Sequence, residues 1–226
     1  MARRQFAVIG LGRFGSAMAT TLAELGHDVI GVDGDAERVR QLADTITQAV
    51  ELDATDERAL RSVGIQDVDV AVVSIGENIE SSLLVVMQLR ELGVGTIVAK
   101  AVTPLHGRIL EKLGVSRVIF PEREMAVRVA HGLVMPNVID YIELSRDFSI
   151  VEVPAPKMFL GQTLKELALR PKYGLTLIAI KRRPSPAAAE VTNISPAADE
   201  VIRPGDVLSL LGSNERLTAL DAILKG

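Results

Sequence analysis

Cysteine and tryptophan are absent from the 226 residues, histidine occurs three times, and aromatic residues make up only 3%. Without cysteine there is no disulfide, thiolate metal site, iron-sulfur cluster or cysteine nucleophile. Neither sign of charge dominates: 25 Lys plus Arg against 29 Asp plus Glu leave a net charge of -4. That balance supplies no electrostatic reason to expect nucleic acid or an anionic membrane surface as the main partner. Uncharged runs such as residues 14–23 stop far short of the roughly 20 apolar residues that span a bilayer, so direct membrane insertion is not expected. Met1 leads into a strand-like pattern with no signal-peptide core, which makes a cytoplasmic location the expectation. The length is enough for one large domain or two modest ones, with a real core.

Short β-branched runs at residues 6–10, 29–33, 46–50, 68–74, 96–100 and 116–120 predict strands. Helical patterns separate them at 14–25, 36–44, 57–63, 79–92, 105–113 and 122–133, several ending at a glycine such as Gly26, Gly64, Gly93 or Gly114. The nearly continuous apolar run over 68–73 suits a strand covered on both faces, which points to a parallel sheet. The fold class expected is therefore α/β: a doubly wound, six-stranded, Rossmann-like sheet over residues 1–135. Pro136-Asn137 breaks the pattern, residues 136–145 form a linker, and a second, small α+β domain occupies 146–226. That domain reads as a strand at 149–153, a helix at 163–169, a strand at 176–181, a Pro/Ala-rich loop at 184–190, a short segment, a strand at 207–211 and a closing helix at 215–223.

The sharpest motif is Gly10-Leu11-Gly12-Arg13-Phe14-Gly15, placed directly between the first predicted strand and the first predicted helix. Glycines there allow a tight turn, close approach of the backbone to a pyrophosphate, and close helix packing, while the helix N-terminus offers free N–H donors. Asp33 closes the second strand 18 residues after Gly15, where a carboxylate can accept hydrogen bonds from ribose hydroxyls. Loop and aspartate together predict an adenosine-containing ligand. Arg13 could reach a terminal phosphate or could be a solvated surface arginine. Asp53-Ala54-Thr55, Ser74, Gly76, Lys100 and Glu122 all follow predicted strands at the carboxyl edge of the sheet, where such folds gather ligands. For Asp53-Ala54-Thr55 the alternative is a helix cap with Thr55 as N-cap. Lys100 and Glu122 could pair with each other, or Glu122 could help to hold a divalent ion against phosphates.

Features of an enzyme are missing. His27 precedes a strand, His106 starts a helix and His131 lies in the linker helix, so none is an obvious acid or base beside a nicotinamide. Neither Tyr141 nor Tyr173 has a lysine four residues on, and no Gly-x-x-x-x-Gly-Lys loop is present. Binding without turnover is expected.

These residues, with Ala99-Lys100, Pro121-Glu122, Tyr141-Ile142-Glu143-Leu144-Ser145 and Lys172-Tyr173-Gly174, closely resemble one family over essentially the whole length. The chain is similar to the cytosolic regulatory subunits of Ktr-type potassium uptake systems, which join an RCK (TrkA-N) nucleotide-binding lobe to a TrkA-C lobe. The resemblance implies a homodimer, assembly to a homo-octameric ring, docking on an integral-membrane potassium transporter subunit, and binding of ATP or ADP with a divalent cation such as Mg²⁺. It implies that Gly12 and Gly15 serve the phosphates and Asp33 the ribose. Arg13 would reach a terminal phosphate across the dimer, Lys100 would line the pocket, and Glu122 would be the metal-binding carboxylate. Many relatives bind cyclic di-AMP in the second lobe, and Arg170, Lys172 and Tyr173 fall in that region, though they could equally be a helix C-terminus whose cations offset the dipole. The alternatives are an NAD(H)-responsive regulator of a Trk-type transporter, whose subunits commonly carry two tandem copies where this chain has one, and a small NAD-dependent oxidoreductase.

Overall fold

The computed structural model describes residues 2–135, 138–183 and 188–224. The Pro136-Asn137 breaker and the first part of the 184–190 loop lie outside the described residues. The chain divides into two compact units, Met1–Glu122 and Arg123–Gly226.

In the first unit, β1 (Gln5–Ile9), β2 (Asp28–Asp33), β3 (Gln48–Glu51), β4 (Val70–Val73), β5 (Ile97–Lys100) and β6 (Arg117–Ile119) form a parallel sheet in the order β3-β2-β1-β4-β5-β6. Between them run α1 (Arg13–Glu24), α2 (Ala36–Leu42), α3 (Glu57–Ser62), α4 (Ile79–Glu91) and α5 (Pro104–Lys112). All of β4 is buried, because successive side chains point to opposite faces and both faces are covered. Ala71 and Val73 join Ala7 and Ile9 in a core with Leu60, Val86 and Leu110. Val70 and Val72 join Val8 in a second core with Ala19, Val39 and Leu42. The chain builds outward from β1 in one direction, then returns to start at β4 in the other. The crevice outside the carboxyl ends of β1 and β4 is thus the switch point where doubly wound sheets take ligands.

Helix α6 (Pro121–Val134) carries the chain across the division between the units, so the division falls at residue 122 where the sequence suggests 135. Two contacts explain why most of α6 groups with the second unit. The Arg128 guanidinium makes a bidentate pair with Asp140, at 2.7 Å to each oxygen from Nη2, and the His131 ring stacks on Tyr141 at 4.1 Å.

The second unit is an antiparallel sheet in the order β10-β9-β11-β8-β7, from β7 (Asp140–Glu143), β8 (Phe148–Pro154), β9 (Thr176–Arg182), β10 (Val191–Ile194) and β11 (Val207–Ser213), with α9 (Asn214–Leu224) closing the chain. Alternate residues of β8 are buried against Phe159, Leu167 and Leu217, as expected of a sheet wet on one side. Three features depart from the sequence reading. Residues 140–143, expected within a linker over 136–145, form β7, an edge strand held by its antiparallel pairing with β8. The single helix expected at 163–169 is two short helices, α7 (Leu164–Leu167) and α8 (Leu169–Tyr173), separated by Ala168 in the left-handed region at φ 44°. Pro171 explains the break, since a proline lacks the N–H a continuous helix would need and is tolerated only in a first turn. The short segment before the last strand is β10, whose four residues are all exposed and which carries no apolar alternation to mark it.

Candidate functional site

Gly10 turns the chain off β1 at φ +93°, a conformation that suits glycine, and its N–H donates to the Val32 carbonyl at 2.8 Å. Its own carbonyl accepts a hydrogen bond from Ser74 Oγ at 2.5 Å, which ties the loop to the end of β4. Gly15 lies against that same carbonyl. A Cβ there would stand 1.8 Å from the Gly10 oxygen, so only glycine lets α1 approach so closely. Gly12 is different: it is the N-cap of α1, supplies no side-chain cap, and an ideal Cβ would meet nothing within 4 Å. The first N–H groups of a helix lack intrahelical partners, so α1 brings donors to the switch point, the arrangement that receives phosphate. Arg13, the first residue of α1, is exposed, and its side chain makes no ion pair or hydrogen bond among the described residues. Phe14 is half-buried.

Asp33 ends β2 beside the loop, its side chain only 9% exposed. Oδ2 accepts the Leu11 N–H at 2.6 Å and Oδ1 the Asp35 N–H at 2.9 Å, so the carboxylate fixes the glycine loop. Arg38, in α2, puts its guanidinium 3.5 Å from Asp33 Oδ2, 3.5 Å from Asp35 and 3.7 Å from Glu77. Sequence reasoning passed over Arg38. No local pattern marks it: it lies five residues after Asp33 in the first turn of α2, and its partners come from three different segments.

On the other side of the switch point, Lys100 at the end of β5 pairs with Glu122 at 2.5 Å, and Gly76 lies beside the Lys100 ammonium, which a Cβ at 76 would approach to 3.4 Å. A hydrogen bond from Lys100, ahead of the opposing effect of burial, holds the Glu122 carboxyl below its ordinary value. Among the described residues no group of three His, Cys, Asp or Glu could by itself hold a metal ion.

Asp53-Ala54-Thr55 lies on the same edge but differs from expectation. The N-cap of α3 is Asp56, which accepts from the Arg58 and Ala59 N–H groups, and not Thr55. Thr55 is already engaged: its hydroxyl and N–H donate to Asp53 at 2.7 and 2.9 Å, which lowers the Asp53 pKa, and its carbonyl accepts from Gln88 at 2.6 Å. Ala54 packs on the core. In the second unit, Arg170, Lys172 and Tyr173 lie in α8, ended by Gly174 in the left-handed region. Lys172 donates to the Glu166 carbonyl at 2.9 Å and the Tyr173 ring packs on Phe159 at 5.6 Å.

The TrkA-N domain family matches residues 6–121 and the TrkA-C domain family residues 148–225. Over 211 residues the chain is 44% identical to Ktr system potassium uptake protein C of Bacillus subtilis, covering 93% of each. It belongs to the Ktr potassium uptake family. Ktr system potassium uptake protein A of B. subtilis is 40% identical, across 92% of this chain and 91% of that one, and a Ktr protein A of Vibrio alginolyticus is 31% identical. Among solved structures, the GsuK channel bound to NAD superposes with a TM-score of 0.63 at 19% identity, covering 99% of this chain, which spans 40% of that one. The TrkA-N domain of the Escherichia coli inner membrane protein ybaL gives 0.52 at 20% identity, covering 59% of this chain and 98% of that one. These structures share the fold of this Ktr chain. Among its described residues no helix is long and apolar enough to cross a membrane.

Proposed function

We propose that this Ktr chain is a cytosolic regulatory subunit, not an enzyme, that binds ATP or ADP in the crevice above β1 and gates a membrane-embedded potassium-translocating partner. The observation that carries the reading is the N-terminus of α1 at Gly12, which no side chain caps, on a loop fixed by hydrogen bonds to Asp33 and Ser74. In this reading the N–H groups of α1 take the phosphates and Asp33 the ribose. Lys100 balances phosphate charge, and Glu122, one carboxylate, shares a Mg²⁺ ion with phosphate oxygens. Exposed Arg13 reaches the terminal phosphate held by a neighbouring subunit of the homodimer, four dimers closing as an octameric ring.

A ligand shifts a ring between shapes only by its difference in affinity for them, and the γ-phosphate supplies that difference through Arg13 and the cation at Glu122. A second reading puts NAD(H) at the same loop. Asp33 would accept its ribose equally, and GsuK, of the same fold, is described as bound to NAD. Cyclic di-AMP at Arg170, Lys172 and Tyr173 has less support, because Lys172 and Tyr173 are engaged inside their own lobe. Calorimetric titration with ATP, ADP and NADH, with and without Mg²⁺, tests the reading alongside the mass in solution. Tight ATP and ADP binding by an octamer supports it; NADH winning on a dimer moves the assignment to the second reading.

A further inference from the structure

We infer that Gln88, a buried glutamine of α4, is a positioning residue for ligand binding: through the Thr55 carbonyl it sets the Asp53 carboxylate at the carboxyl edge of the sheet. The inference rests on the nucleotide reading above and adds to it a buried residue that no motif marks.

Gln88 is 8% exposed, and its helix neighbours Val85 and Leu89 are fully buried. Its Nε2 donates to the Thr55 carbonyl at 2.6 Å, while among the described residues its Oε1 is buried without a hydrogen-bond partner. A leucine or methionine would fill the same space without stranding that oxygen. Core packing therefore does not account for the amide, and its hydrogen bond to Thr55 does.

The segment it holds has little else to fix it. Among the described residues, the other hydrogen bonds of residues 53–55 stay within the segment or reach only the adjoining cap: the Thr55 hydroxyl and N–H donate to Asp53 Oδ1, and the Asp56 N–H donates to the Asp53 carbonyl at 3.1 Å. Just before it, the Leu52 N–H donates to the Asp33 carbonyl at 3.1 Å, so the segment starts beside the aspartate that fixes the glycine loop. With both Thr55 donors on Oδ1, Asp53 Oδ2 is left without a partner among the described residues. Gln88 reaches this segment from α4, which follows β4, whereas the segment follows β3; β1 and β2 lie between those two strands in the sheet. Ser74, at the end of β4, holds the Gly10 carbonyl. Strand β4 and helix α4 thus tie both the glycine loop and the Asp53 segment. They fix in advance the separation that a ligand lying across the carboxyl edge has to match, which lowers the cost of ordering the site.

The test titrates ATP and ADP into the full chain, Gln88→Leu, Asp53→Ala and the double variant, with thermal unfolding of each. Both single variants should bind ATP about fivefold more weakly, and ADP by the same factor, since neither residue serves the terminal phosphate in this reading. Gln88→Leu gives up a hydrogen bond and a stranded acceptor together, so its melting temperature should stay within about 3 °C of the parent's. In the double variant the loss should match that of Asp53→Ala alone to within about twofold, because Gln88 acts through that carboxylate. Gln88→Met, of similar length, repeats the comparison should leucine disturb the core. Unchanged ATP binding by Gln88→Leu and Gln88→Met, or a double variant whose loss is the product of the two single losses, overturns the inference however the variants melt. An Asp53→Ala chain that binds ATP as the parent does removes the segment from the site, and the inference with it. Failure of ATP to bind the unaltered chain overturns the underlying nucleotide reading instead.

Discussion

Alanine at position 15 would place a Cβ 1.8 Å from the Gly10 carbonyl oxygen and 2.5 Å from Ser74 Oγ. Neither obstacle can rotate away, because one is backbone and the other is hydrogen-bonded to it. Helix α1 must then lift from the end of β1, with overpacking that costs about 1–3 kcal/mol and loss of a hydrogen bond worth about 1 kcal/mol. A destabilisation of about 2–4 kcal/mol corresponds to a melting temperature lower by roughly 5–15 °C in a chain of this size. Gly12→Ala is the matched control. Its φ of -65° suits alanine and nothing lies within 4 Å of the new Cβ, so stability should change by less than about 1 kcal/mol. The added methyl nevertheless sits at the N-cap, next to the N–H groups that take the phosphates in the proposed reading, and ATP affinity should fall about tenfold or more. Thermal unfolding followed by circular dichroism, with ATP titration of the same preparations, separates the two effects. A Gly15→Ala protein that melts with the parent, or a Gly12→Ala protein that binds ATP as the parent does, would refute the account of the loop.

Arg13→Ala should narrow the difference between ATP and ADP affinity while leaving stability within about 0.5 kcal/mol, since the side chain is exposed; equal loss for both nucleotides in titration contradicts a role at the terminal phosphate. Glu122→Gln removes a carboxylate that is 68% exposed, so stability should move by less than about 1 kcal/mol, yet the enhancement of ATP affinity by Mg²⁺ should shrink. An unchanged Mg²⁺ effect would take Glu122 out of the cation site. In the second unit, Asp206 has a fully buried side chain that accepts from Arg182 at 2.7 and 2.8 Å and from the Arg203 N–H at 2.8 Å. Burial alone would raise its pKa, but these donors and their charge outweigh burial and hold it below the ordinary value. Asp206→Asn should cost about 1–3 kcal/mol at neutral pH, because Arg182 loses its bidentate partner while keeping Glu200 at 3.0 Å and the Val201 carbonyl at 3.1 Å. Because the folded pKa is lowered, the carboxylate's contribution is present in full above the unfolded value near 4 and is lost as the pH falls through the folded value. Urea denaturation should therefore show the gap between parent and variant closing below about pH 4, and a gap that stays constant into strong acid would rule out the linkage.

The first unit was legible because its strands are buried on both faces and so write themselves as apolar runs, and because glycine spacing and Asp33 obey fixed geometry. Arg38 was not legible, since its reach to Asp33, Asp35 and Glu77 depends on how α2 sets off from β2. Thr55 stood as the alternative reading, an α3 cap chosen on residue type, but Asp53 captures both its donors and leaves Asp56 the role. In the second unit, β10 is exposed at every residue and is marked only by its pairing with β9, a long-range fact that no local pattern encodes. The division at residue 122 was hidden for a related reason: the pairs that fasten α6 to β7, Arg128 with Asp140 and His131 with Tyr141, join residues on either side of a breaker.

The Ser74 hydrogen bond to the Gly10 carbonyl has a kinetic consequence. A loop closed by its own contacts spends no free energy on being ordered when a nucleotide arrives, so capture need not wait for a rearrangement of the loop. Differences between ligands then fall mainly on how long each one stays. In the proposed reading, where two nucleotides sharing adenosine and two phosphates compete for the loop, residence time becomes the measured quantity. A response to a change in their ratio would then be only as fast as the departure of the bound nucleotide.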